Sequence, residues 1–102
     1  MDSLKSAEVP FRHGKSVRAI STTGFRLVER LYGPDLQVPL HLHAYAHLVI
    51  TLRGKYVNRS NGRNLEFIPW TVGFYPAGEQ HSSSYSELGA RALHIEITQK
   101  KT

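Results

Sequence analysis

The sequence predicts an all-β domain, a sandwich or small barrel, on three observations. Short runs rich in β-branched and aromatic residues recur along the chain, turn residues separate them at short intervals, and strong helical periodicity is absent. With 102 residues and 40% apolar content, the chain has material for one domain around one core. Residues 1–14 mix charges without an apolar run and are expected to form a flexible amino-terminal arm, leaving residues 15–102 for the barrel.

Taken in order, Ser16 to Ser21 and Phe25 to Tyr32 are the first two strands, separated by Thr22-Thr23-Gly24 and closed by the breaker Gly33-Pro34-Asp35. Leu36 to His43 forms a third, which Pro39 confines to an edge or a bulge because proline cannot donate to a ladder. His47 to Leu52 alternates as a strand should, ends near Gly54 and resumes at Tyr56. The segment Asn58 to Asn64 holds the best hairpin turn, since Asn61 and Gly62 both accept positive φ. Asn64 to Ile68, Val72 to Tyr75, His81 to Tyr85 and Ala92 to Thr98 complete a set of eight or more strands. In the last of these, Leu93, Ile95 and Ile97 share one face and His94 and Glu96 the other, and the apolar face is expected to point inward.

Charge and composition exclude several functions. Thirteen Lys and Arg give a net charge of +5, but they are scattered from Lys5 to Lys101 and read as a basic solvated surface. No helix-turn-helix, zinc-finger or aromatic RNA-binding pattern accompanies them, so direct nucleic-acid binding by this chain is not expected. No run approaches the roughly 18 apolar residues of a membrane span. The absence of cysteine rules out disulfides and thiolate metal sites, and a cytoplasmic location is the expectation.

The chemistry is carried by histidine. His41, His43 and His47 stand in the pattern His-x-His-x3-His-x6-Gly, and His81 ends Pro-x-Gly-x2-His about thirty residues later. Side chains alternate along a strand, so His41 and His43 face the same way and can reach one ion together. Ala44-Tyr45-Ala46 lets the chain turn to present His47, and Pro76-Ala77-Gly78 delivers His81 from a distant strand. Three readings stay open: a divalent transition metal held by nitrogen, a metal-free pocket for a polar ligand, and purely structural imidazoles.

The runs PLHLHAYAHLVITLRG (residues 39–54) and GFYPAGEQH (73–81) resemble the two motifs of the cupin superfamily, in order and at a plausible separation. The resemblance implies a cupin β-barrel, that is, a double-stranded β-helix related to the jelly roll. It implies His41, His43 and His81 as metal ligands, with His47 where the family carries a glutamate. That replacement leaves the site more positive, favouring an anionic ligand, and removes a hard oxygen donor, which suits Zn, Ni, Fe or Cu rather than Mg or Ca.

The order of residues 24–57, PAGEQHSS (76–83) and GARALHIEIT (89–98) is similar to the effector-binding cupin domain of AraC-type transcription regulators. This implies a small-molecule sensor, probing an acidic or polar effector and pairing as a homodimer, without the DNA-reading half that those regulators carry. The run Val17 to Leu31 is a candidate for the pairing edge. The alternative is a freestanding metal-dependent cupin enzyme, a dioxygenase or isomerase. No residue takes a catalytic assignment, because Tyr45, Glu79 and Glu96 lack a compelling position and His47 as a fourth ligand would hinder turnover. Candidate ligand-binding residues are Tyr45 between the histidines, Trp70 and Phe74 before the Pro76 turn, and His94 and Glu96 if their face points inward. Glu79 reads as a solvated loop residue, with orientation of an imidazole as its other role.

Overall fold

The structure is a computed structural model that describes residues 14–98; all but the last residue of the expected amino-terminal arm, and residues 99–102, lie outside the described residues. Among the described residues seven strands follow one another without a helix: β1 Lys15–Thr22, β2 Phe25–Tyr32, β3 Gln37–His41, β4 His47–Ser60, β5 Arg63–Phe67, β6 Val72–Tyr75 and β7 His81–Ile97. The all-β expectation holds, with fewer and longer strands than the turn signals suggested. Among the described residues no helix is long and apolar enough to cross a membrane.

Every strand pairing is antiparallel, and β4 and β7 pair along nearly their whole lengths. Halfway along, the register of that ladder shifts at Thr51/Arg53 and Gly54/Tyr56, and the sheet folds over there into two leaves. The first leaf runs β1-β2-β7-β4-β6 and uses the early part of β4 with the late part of β7. The second runs β3-β7-β4-β5 and uses the other halves.

Glycine makes the corner. Gly54 and Gly89 both have positive φ, 76° and 67°, and a Cβ on Gly54 would overlap the Gly89 carbonyl oxygen across the ladder. The sequence marks Gly54 as a strand end, yet the chain continues through it as a bent strand. The expected hairpin is present in its tightest form: Ser60 pairs with Arg63 around Asn61 and Gly62, whose φ values are 50° and 74°.

Aromatic rings fill the second leaf. Tyr32 stacks on Tyr85 at 4.4 Å, Tyr85 on Tyr56 at 4.7 Å and Tyr56 on Phe67 at 4.9 Å. Such a pair contributes about 0.5–1.5 kcal/mol beyond the apolar area it buries, so this column anchors the core. Val38, Val49, Tyr75, Ala90 and Ala92 complete the buried cluster.

The orientation of the last strand overturns the expectation from its apolar residues. Register sets His47 opposite Glu96, Val49 opposite His94 and Thr51 opposite Ala92, and Val49, Thr51 and Ala92 are fully buried. His94 and Glu96 therefore face the interior, while Leu93, Ile95 and Ile97 face outward. Deep in this leaf Val28, Val49 and Ala92 pack in the core, while toward the mouth the same face lines a cavity, and there the inward positions are imidazole and carboxylate.

Candidate metal centre

Each histidine reaches the barrel mouth by a different local device. His41 ends β3 and is the cross-strand neighbour of His81 at the start of β7, with ring centroids 4.4 Å apart. His43 lies beyond the end of β3, in the loop to β4, so strand alternation is not what aligns it with His41. Its carbonyl instead accepts a 2.9 Å bond from the Gly78 amide, which ties this loop to the Pro76-Ala77-Gly78 turn. His47 opens β4 opposite Tyr75 and Glu96 and is buried.

Ligand nitrogens of His41, His43 and His81 all lie within 4.8 Å of one another. The Nε2 atoms of His41 and His43 are 3.2 Å apart. Two nitrogens bound to one ion at about 2.0–2.1 Å are separated by about this distance in tetrahedral or octahedral geometry.

The far side of two rings is already engaged. His41 Nδ1 donates to the Pro39 carbonyl at 2.7 Å, and His81 Nδ1 donates to Asn58 Oδ1 at 3.0 Å. Both bonds leave Nε2 as the lone-pair nitrogen, the tautomer a metal requires. His81 Nε2 is buried with no hydrogen-bond partner, which costs about 1–3 kcal/mol unless something accepts its lone pair. The donor set therefore fits a divalent transition ion.

Electrostatics agree. Burial, followed by the neighbouring imidazoles, pushes His43 and His81 down to about 4, and burial also lowers His47 and His94. Around neutral pH these rings are uncharged, the form that binds metal without proton competition.

The histidines open onto a cavity of about 260 Å³. His94 lies on its inner wall, 5.6 Å from the His47 ring, and its Nε2 accepts a 2.8 Å bond from the Tyr32 hydroxyl. Glu96 lines the cavity as well, paired with Arg26 at 3.1 Å, and Arg30 stands nearby on the same strand. Burial raises Tyr32 and pushes Tyr75 up to about 12, so both phenols stay protonated donors.

Of the residues singled out from the sequence, the structure brings together His41, His43 and His81, with His47 beside His43 at a ring distance of 4.7 Å and His94 and Glu96 on the same wall. His47 contributes no nitrogen to the three-histidine cluster. Tyr45 is exposed on the β3–β4 loop, and Trp70 and Phe74 lie outside the cavity, Trp70 being 74% exposed. Glu79 accepts from Asn61 at 2.6 Å, and Asn58 is what orients His81. Sequence reasoning passed over Tyr32, Asn58 and Tyr85, all of which touch the histidines or line their cavity. Counting by twos from His81 through Ser83 to Tyr85 was the available signal.

No family model and no curated protein matches the chain. Solved structures do. A cupin superfamily protein from Desulfitobacterium hafniense superposes with a TM-score of 0.74 at 15% identity, over 84% of this chain and 78% of that one. KdgF from a Halomonas species gives 0.73 at 11% identity, over 86% and 87%. The polyketide cyclase RemF from Streptomyces resistomycificus gives 0.64 at 26% identity, over 76% and 57%. These similarities concern architecture, and with the topology above they identify the fold of this chain as a cupin β-barrel.

Proposed function

We propose that the barrel is a small-molecule-binding domain of the sensor type, whose ligand site is built around one divalent transition metal held by His41, His43 and His81. The observation that supports this most directly is the buried, unpartnered Nε2 of His81, held toward the other two imidazoles by Asn58. Zn, Ni, Fe and Cu all suit three nitrogen donors. When bound, such an ion supplies a positive charge and open coordination positions for an anionic oxygen ligand.

The protein's own groups select the rest of that ligand. Arg30 adds positive charge to the cavity wall, where Glu96 offsets that of Arg26, and Tyr32 and Tyr75 offer hydroxyls. A compact acidic or polar effector fits this lining and the volume of about 260 Å³. The resemblance to AraC-type effector domains favours sensing in the cytoplasm over turnover.

A second reading, a metal-dependent enzyme such as a dioxygenase or isomerase, draws support from the Tyr32–His94 pair. In this pair the Tyr32 oxygen can take a proton from a bound molecule as the phenol's own proton moves to His94 Nε2, and the reverse transfer returns it.

Elemental analysis of untagged protein, followed by calorimetric titration with small carboxylic acids, separates the readings. About one ion per chain with saturable binding and no product supports sensing. Conversion of a bound acid supports the enzyme, and metal-free protein that binds acids equally well rejects the metal centre.

A further inference from the structure

We propose that the outside of the glycine corner binds a small organic anion, a carboxylate with an apolar body, at a site separate from the histidine cavity. Register sets Arg53 on β4 directly opposite Arg91 on β7, where the ladder shifts and the sheet folds over. Like charges at opposed positions of an antiparallel pair are destabilising, and an anion between them turns that repulsion into attraction.

The chain supplies only part of the compensation. Glu29 pairs with Arg91 at 2.8 Å, but the same carboxylate also bridges Arg18 at 3.2 Å. Arg53 is exposed and has no hydrogen bond or ion pair among the described residues. One carboxylate is thus shared by two guanidiniums, while a third, across the ladder, has none.

Both opposed arginines line a groove of about 320 Å³. Gly54 and Ala90 line it as well and bring little side chain, at the place where the positive φ of Gly54 and Gly89 bends both strands. Leu31 and Leu88 add apolar surface, and Leu88 is 72% exposed. No carboxylate among the described residues lines the groove, and Tyr32 is the one residue it shares with the histidine cavity.

This lining selects the occupant. The planar fork of a guanidinium matches the two oxygens of a carboxylate in bidentate, charge-assisted bonds. A short alkyl chain or a single ring on that carboxylate would cover the two leucines, which a bare ion such as phosphate would leave in water. The volume of the groove suits a ligand of this size.

Amide NMR of the full chain in excess chelator, titrated with hexanoate, tests the site independently of the metal reading. Saturable shifts are expected at Gly54, Leu88 and Ala90 with a Kd of about 5 mM or tighter, and acetate, hexanol and phosphate should each bind about 10-fold more weakly or worse. Arg53→Gln should weaken hexanoate about 10-fold or more, and Leu88→Ser about 5-fold while leaving acetate unchanged. Absence of shifts at these amides in about 50 mM hexanoate overturns the proposal, as do shifts confined to Ser83 and His94 in the histidine cavity. Hexanol or phosphate binding as tightly as hexanoate overturns it too, the first by removing the role of charge and the second that of the apolar body. Should either variant fail to fold, that comparison of probes on the wild-type chain still decides.

Discussion

The two leaves of the barrel differ in what their outer faces carry and in how polar their inner faces are near the mouth. In the second leaf Tyr56, Phe67 and Tyr85 face inward and Arg59, Ser84 and Gln37 face water, the usual arrangement of a half-buried sheet. In the first leaf His47, His94 and Glu96 face inward, and Leu27, Leu48 and Ile95 face out. One sheet thus supplies two kinds of wall. Both leaves contribute to the buried core, and the first also lines the polar mouth of the cavity and has an apolar outer face.

The largest effect should come from breaking the corner that both leaves share. Gly54→Val forces a branched side chain into a positive-φ position against the Gly89 carbonyl, and is expected to cost about 3 kcal/mol or more, read as loss of cooperative unfolding in urea.

Two phenylalanines sharpen the comparison. Phe67, 3% exposed in the stacked column of the second leaf, should cost about 3–5 kcal/mol on replacement by alanine. Phe74, on the outside of the first leaf, should cost less than about 1 kcal/mol in dilute protein where only the protomer's stability is measured. Equal losses in chemical denaturation would mean that the two leaves do not divide labour in this way.

A third change acts only on the cavity side. Asn58→Ala removes the acceptor that fixes the His81 tautomer, and should weaken metal binding about 10–100-fold in competition with a chromophoric chelator. Binding that is unaffected would remove Asn58 from the site.

A further effect is a pH dependence carried by the histidine wall. His43 and His81 titrate near 4 in the folded chain and near 6.5 when unfolded, so between those values the unfolded state binds more protons. Stability of the metal-free protein is therefore complete above about pH 6.5 and declines as pH falls toward 4, seen as a falling Tm in chelator. Alanine at both positions should reduce that slope, leaving the part that His47 and His94 contribute.

Strand positions and ligand candidates were legible because their signals are local. Asn61-Gly62 specifies its own turn, the runs Phe25–Tyr32 and Val72–Tyr75 match the observed strands, and the histidine spacings bring three rings together. The inside of β7 was not legible. Alternation divides Leu93, Ile95 and Ile97 from His94 and Glu96 without saying which set faces the cavity, and hydrophobicity points the wrong way when the interior is polar. Trp70 and Phe74 were drawn toward the pocket by nearness to Pro76, whereas pairing with β4 turns Phe74 outward. Asn58 and Tyr32 escaped notice because their roles depend on cross-strand neighbours 23 and 62 residues away.

Alternation along β7 has a practical consequence. His94 and Ile95 are adjacent in the chain yet serve opposite surfaces, as do His47 and Leu48 on β4. Substitutions at one parity of residue number on these segments therefore change the cavity lining, while those at the other change only the outer surface.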